Sequence, residues 1–292
     1  MAAPLGLFLL LQRPMAREAL LGAALLGLVA WGVAHAAPGF PRLEAAWVCA
    51  LAGGATLALM LRPPATGDLV ATGLMAVGFA AAGAALFALP TGTTFAQVRW
   101  LAERHFGDQS RLLFDALTQA SGAVPGGDST PTLTAFQASA DAVVQLVSRF
   151  LPGLVLLQSV AALAAAWALY QLLARHPEGA ALPRLRDFRF NDHLVWGVVL
   201  ALLALVMPVG AGVLRPIGGS LATFFGGLYV ARGLGVVLAL AAAAGFGGPL
   251  AAVLSALITV FLLPIALLSA LALGVSDTWV DWRKLAVKVQ KR

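Results

Sequence analysis

The sequence predicts an all-α fold, a polytopic bundle of transmembrane helices, and three observations predict it. Of its 292 residues 60% are hydrophobic and only 11% are charged, against about 25% charged in soluble domains. The mean hydropathy is +0.89. Apolar runs recur at a length of about 20 residues, what a helix needs to cross about 30 Å of hydrocarbon. The runs are continuous and rich in Ala and Leu, without the short alternation of a membrane β-barrel.

About seven apolar tracts follow in order, and they read as a single membrane domain over 1–292. An N-terminal part, 1–90, holds three spans: 18–36, 45–61 and 69–89. Before them, "MAAPLGLFLLLQRP" has no basic region ahead of its short apolar stretch and no clean cleavage site, so it reads as retained rather than as a signal peptide. The segment 91–150 is water-compatible, with two short helices in "TTFAQVRWLAERHF" and "DQSRLLFDALTQA" and a loop at "AVPGGDSTPT". Phe136, Ala140, Val143, Val147 and Phe150 then line one face of a helix leading into the next span. This amphipathic region caps the bundle, lies in the interface, or forms a lid or partner surface. The C-terminal spans, 151–275, comprise 151–173, 194–214, 219–246 and 249–274, and a basic tail closes the chain over 276–292.

Arg13 and Arg17 precede the first span, which places the N-terminus in the cytoplasm by the positive-inside rule. Three crossings put 91–150 outside, and the fourth brings Arg175, Arg184, Arg186 and Arg189 inside. The tail carries every lysine and belongs inside too, yet three further crossings would leave it outside. The tract at 217–246 is therefore read as broken or re-entrant, its glycines permitting the break. A bacterial inner-membrane location is expected.

Arg232 lies inside that tract and carries its only charge. An arginine at a helix centre costs about 2.5–3.5 kcal/mol on insertion scales and needs a compensating group. No carboxylate lies within a predicted span; Glu44, Asp68, Asp192 and Asp277 sit at span ends and the rest in loops. The expected partners are therefore freed backbone carbonyls, Gln158, water or an anionic ligand, with Tyr229 sharing the helix face of Arg232. Arg232, Tyr229 and Gln158 form the candidate ligand site. Ala19, Ala23 and Gly27 form a small-residue face on the first span, suited to close helix packing or to a membrane partner.

Several chemistries are not expected. The single cysteine, Cys49, excludes an internal disulfide and a cysteine metal cluster. The four histidines are scattered without metal-ligand spacing. No nucleophile motif, phosphate loop or acid pair is visible, so neither an enzyme nor a bound cofactor or metal is expected. The net charge of +6 reflects cytoplasmic loops and lipid contact rather than nucleic acid. In "LGVSDTWVDWRK", Thr278 with Asp281 makes a near capping box, and Asp277 adds negative charge beside it. Trp279 and Trp282 suit the membrane boundary, with Arg283 in stacking reach of Trp279. The segment is an interfacial anchor or a recognition element for a partner.

Three motifs in this order, "LRDFRFNDHLVW", "LYVARGLGVV" and "GVSDTWVDWR", resemble the YybS-like family of bacterial membrane proteins, from about residue 140 onward. Asn191 and Arg232 depart from that pattern, standing where a proline and a neutral residue are expected. The family is similar in general build to the substrate-binding S components of energy-coupling-factor transporters. That resemblance implies a small-solute-binding transport subunit working with separate coupling subunits, toward which Ala19, Ala23 and Gly27 would face. The alternative is a non-transporting scaffold or assembly factor.

Overall fold

The computed structural model describes residues 1–11, 16–61, 69–92, 94–120, 130–177, 179–207, 211–243, 263–282 and 284. Among them are ten α-helices, two 3-10 turns and no strand. This is the all-helical bundle that hydropathy requires. In an apolar solvent each helix satisfies its own backbone groups. Among the described residues four helices are long and apolar enough to cross a membrane: Ala16–Ala34, Phe40–Leu61, Leu151–Leu173 and the stretch Leu214–Ala242. The chain divides into two compact units, Met1–Ala180 and Ala181–Arg292.

In the first unit, α1 (Ala2–Leu11) precedes α2 (Ala16–Ala34), α3 (Phe40–Leu61) and α4 (Leu69–Thr91). Helix α1 has ten residues, about 15 Å at about 1.5 Å per residue, too short to cross. It instead buries Phe8, whose ring stands edge-on to Trp167 at 5.5 Å and to Tyr170 at 6.4 Å. Both aromatics come from α7 (Leu151–Leu173). Trp47 on α3 donates its indole N–H to Ser159 on α7 at 2.9 Å. The α7 end is held by Glu18, whose carboxylate accepts from the Arg175 backbone N–H at 2.7 Å.

Between α4 and α7 lie α5 (Phe95–Ala120) and α6 (Thr130–Arg149). The two short helices expected before residue 121 are one helix of 26 residues. Gly107 does not interrupt it, because a single glycine in a helix costs only about 1 kcal/mol. The expected loop falls mostly outside the described residues. Ala102 of α5 packs with Phe40 and Leu151, so the helix lies over the N-terminal ends of α3 and α7.

The second unit is built on α9 (Ala211–Ala243), 33 residues long. The expectation of a broken tract around Arg232 is overturned, since helix continues through the arginine. The glycines serve approach rather than breakage. A Cβ on Gly233 would run into the backbone of Ala270 and Gly274, and one on Gly274 into the carbonyl of Tyr229. These contacts run α10 (Leu263–Ser276) antiparallel along the later half of α9. The earlier half carries α8 (Val195–Val206), where Gly197 faces Phe225 and Gly218 faces Ala201 and Ala204. The fifth tract, expected to span over 194–214, is thus a helix of 12 residues, about 18 Å long. The last tract is helical over Leu263–Ser276; its earlier part lies outside the described residues.

Candidate functional site around Arg232

The register of these contacts has a consequence for the middle of α9. Helix α8 begins, and helix α10 ends, at the level of Tyr229 and Arg232. Two polar segments, 188–194 and 277–282, meet there. Arg232 is 3% exposed and joins them. Its Nε donates to Asp277 Oδ2 at 2.9 Å, one terminal nitrogen donates to the Asp277 carbonyl at 3.0 Å, and the other donates to Asp192 Oδ1 at 2.8 Å. Phe190 lies under the guanidinium, 5.3 Å from ring centroid to Cζ, and packs edge-on against Tyr229 at 5.0 Å. The planar, multiply donating guanidinium suits such a junction; a lysine could not hold three fixed acceptors this way.

Helix electrostatics reinforce the arrangement. Asp192 opens the turn Asp192–Leu194 that feeds the N-terminus of α8, and an anion is favoured there. Asn191 caps that turn, its side chain accepting from His193 N–H at 3.1 Å. Arg232 sits at the opposite pole, beside the last carbonyls of α10, where a cation is favoured. The arginine therefore neutralises one helix end directly and another through Asp192.

The two carboxylates are unequal. Asp277's side chain is fully buried and that of Asp192 is 61% exposed. A buried ion pair is costly to break from one side, about 3–5 kcal/mol, whereas an exposed pair is worth about 0–1 kcal/mol. The Arg232–Asp277 half is thus structural in weight and the Asp192 half is exchangeable. Beside them, the Tyr229 hydroxyl lies next to Thr278, but neither oxygen has a partner of hydrogen-bonding geometry among the described residues.

The expectation for Arg232 is accordingly corrected. Carboxylates from span ends reach it, together with one backbone carbonyl; the sequence separations of 40 and 45 residues hid them. Arg232 and Tyr229 do come together. Gln158 is exposed on α7 in the other unit. On α2 the packed glycine is Gly22, set against Gly6 and Leu10, while Ala23 and Gly27 are exposed, Ala19 is half-buried, and a Cβ on Gly27 would meet nothing.

The tail also differs from its expected cap. Thr278 belongs to the turn that ends α10, and Asp281 takes the capping role, accepting from the Lys284 backbone N–H at 3.3 Å. Asp277 turns inward to Arg232 instead of toward that new helix start. Burial acts to raise the Asp281 carboxyl, but hydrogen bonds from Arg189 and Lys284 outweigh it and hold it at about 2. Trp282 donates to Ser276 Oγ at 3.0 Å, and Trp279 is exposed, as a boundary residue would be. Arg283, expected to stack on Trp279, lies outside the described residues.

Several long apolar helices, with a paired charge inside one of them, define an integral membrane protein of the polytopic helical class. The chain belongs to the predicted membrane protein family DUF2232, whose family model matches residues 44–278. No curated protein and no solved structure matches it.

Proposed function

We infer that the protein is a small-solute-binding component of a membrane transport system, in which the Arg232 junction is the solute site. The observation that carries this reading is the meeting of two helix ends, the start of α8 and the end of α10, at a buried ion pair beside an apolar stretch long enough to span. Discontinuous helices that present their ends to a polar site beside a continuous helix are a recurrent construction in transporters. Irregular backbone at membrane depth is tolerated where protein or a water-filled cavity covers it. The exposed Asp192 is the arm of the junction that a solute can displace, and the Tyr229 and Thr278 oxygens supply unmatched hydrogen-bonding capacity beside it. The YybS-like and S-component resemblance of the sequence points the same way, with energy coupling by separate subunits.

Solute binding is tested with the purified full-length chain. Native mass spectrometry and thermal shift against pooled vitamins and metabolites are expected to find a bound solute whose protection is kept or strengthened in Asp192→Ala, where the competing carboxylate is gone, and lost in the double variant Arg232→Leu/Asp277→Leu. Absence of any bound or protecting solute overturns the reading. The open Ala23 and Gly27 of α2 favour a second reading, a scaffold holding a membrane partner. Affinity purification in mild detergent separates the two: a coupling membrane subunit with ATPases supports transport, and an unrelated complex supports the scaffold.

A further inference from the structure

Helix α5 carries one apolar stripe along its length, and only its first half is covered. Val98, Leu101, Ala102 and Phe106 face the ends of α3 and α7 and pack with Phe40 and Leu151. His105 continues the stripe, its ring 5.5 Å from that of Phe40, and is hydrogen-bonded to Gln109 at 3.0 Å. At helical spacing the next members are Leu112, Leu113 and Leu117. All three are exposed, Leu112 at 69%. The opposite face holds Gln97, Arg104, Asp108, Arg111 and Asp115. Helix α6 packs against α5 and repeats the pattern. It leaves Phe136, Val143 and Leu146 exposed at a quarter turn from the half-buried Gln137, Ala140 and Val144. In an antiparallel pair that offset puts both apolar strips on one side of the hairpin.

We propose that the outer half of the α5–α6 hairpin lies on the bilayer surface, with Leu112, Leu113, Leu117, Phe136, Val143 and Leu146 seated in the lipid leaflet. Three observations select lipid as the occupant. The stripe is continuous with one already seated on the ends of the membrane helices, so where those helices stop, the same side faces the lipid around them. Both ends of the hairpin are tied to apolar helices: α6 reaches the candidate span α7 through Phe150 alone, and α4 precedes α5 closely. The composition also fits an interfacial pair, with charges opposite the apolar side and Trp100 stacked by Arg104 at 5.5 Å.

The test uses the full-length chain with Cys49 replaced by alanine, reconstituted in phosphatidylcholine–phosphatidylglycerol vesicles, with single spin labels at 111, 113, 115 and 143. Labels at 113 and 143 should collide with oxygen several-fold more often, relative to a water-soluble nickel chelate, than labels at 111 and 115. All four positions are exposed, so labelling them does not disturb a packed core. Water-like accessibility at 113 and 143 overturns the proposal. So does shielding of these positions from both reagents together with spin–spin broadening that dilution by unlabelled protein abolishes, since a second copy would then be the occupant. Shielding from both reagents without such broadening also overturns it in favour of another protein.

Discussion

Arg232 shows how one cation can be carried inside an apolar helix: it is held by groups that would themselves be costly without it. Removing only the arginine leaves the buried Asp277 carboxylate uncompensated, and removing only Asp277 leaves the guanidinium so. Arg232→Leu and Asp277→Leu should each lower unfolding free energy by about 3–5 kcal/mol. The double substitution should recover most of that loss, because a well-packed apolar pair can replace a buried ion pair at little cost. Asp192→Ala should cost less than about 1 kcal/mol, since its carboxylate is exposed. Unfolding by denaturing detergent in mixed micelles measures all four. Additive losses in the double variant would show that Arg232 and Asp277 are not a coupled unit. A second residue-scale prediction concerns Asp281. Its carboxyl is held at about 2 in the folded chain, against about 3.9 in an unfolded one. The folded state therefore favours the ionised form, and this contribution is complete above about pH 4 and fades as pH falls toward 2. Hydrogen-exchange protection of the Lys284 amide should follow that course. In Asp281→Ala, which keeps only the bond to the residue 281 carbonyl, protection should be lower and should not depend on pH through this range, and a parent profile flat down to pH 2 would contradict the capping bond.

At the scale of elements, the glycines of α9 and α10 set how near two helices can come, and so whether Asp277 can reach Arg232. Gly274→Val would drive Cβ into the Tyr229 carbonyl and push the helices apart. Overpacking of this kind costs about 1–3 kcal/mol. Part of that loss should vanish in an Arg232→Leu/Asp277→Leu background, where no ion pair remains to be stretched. Gly27→Ala on α2 should instead be neutral or stabilising, because nothing lies within 4 Å of the new methyl and alanine is the better helix former. The contrast marks what the sequence can disclose. Hydropathy located the apolar helices because length and solvent dictate them, and Arg232 stood out because insertion cost singles it out. The same glycines, however, read equally as break or as close contact, since each follows from the missing Cβ. Only the partner helix, distant in sequence, decides. Asp192 and Asp277 were visible as end-of-span acids, but a charge census by span could not pair them with an arginine on a third helix. A lone cation with no acid in its own span, beside two tracts that each end in an aspartate, was the available signal.

At the scale of the whole molecule, the continuous α9 changes how the tail reaches its side of the membrane without changing which side is expected. The positive-inside rule favours the cytoplasm for Arg184, Arg186 and Arg189 and for the lysine-bearing tail. In the second unit, segments 188–194 and 277–282 share the Arg232 junction, and Arg189 pairs with Asp281 at 2.6 Å outside it. Two segments joined at Arg232 and again through Arg189 and Asp281 are expected to leave toward one face. Single cysteines at 108, 185 and 280, in a background with Cys49 replaced, measure this in intact cells and in inverted vesicles. Position 108, on the polar side of α5, should react with a membrane-impermeant maleimide from outside the cell. Positions 185 and 280 should react only in inverted vesicles, and at comparable rates. Reversal of all three would invert the molecule in the membrane while leaving its folding pattern intact. Reaction of 185 and 280 from opposite faces would be incompatible with a shared Arg232 junction, and would return the tail to the far side of a bundle with an odd number of crossings after residue 194.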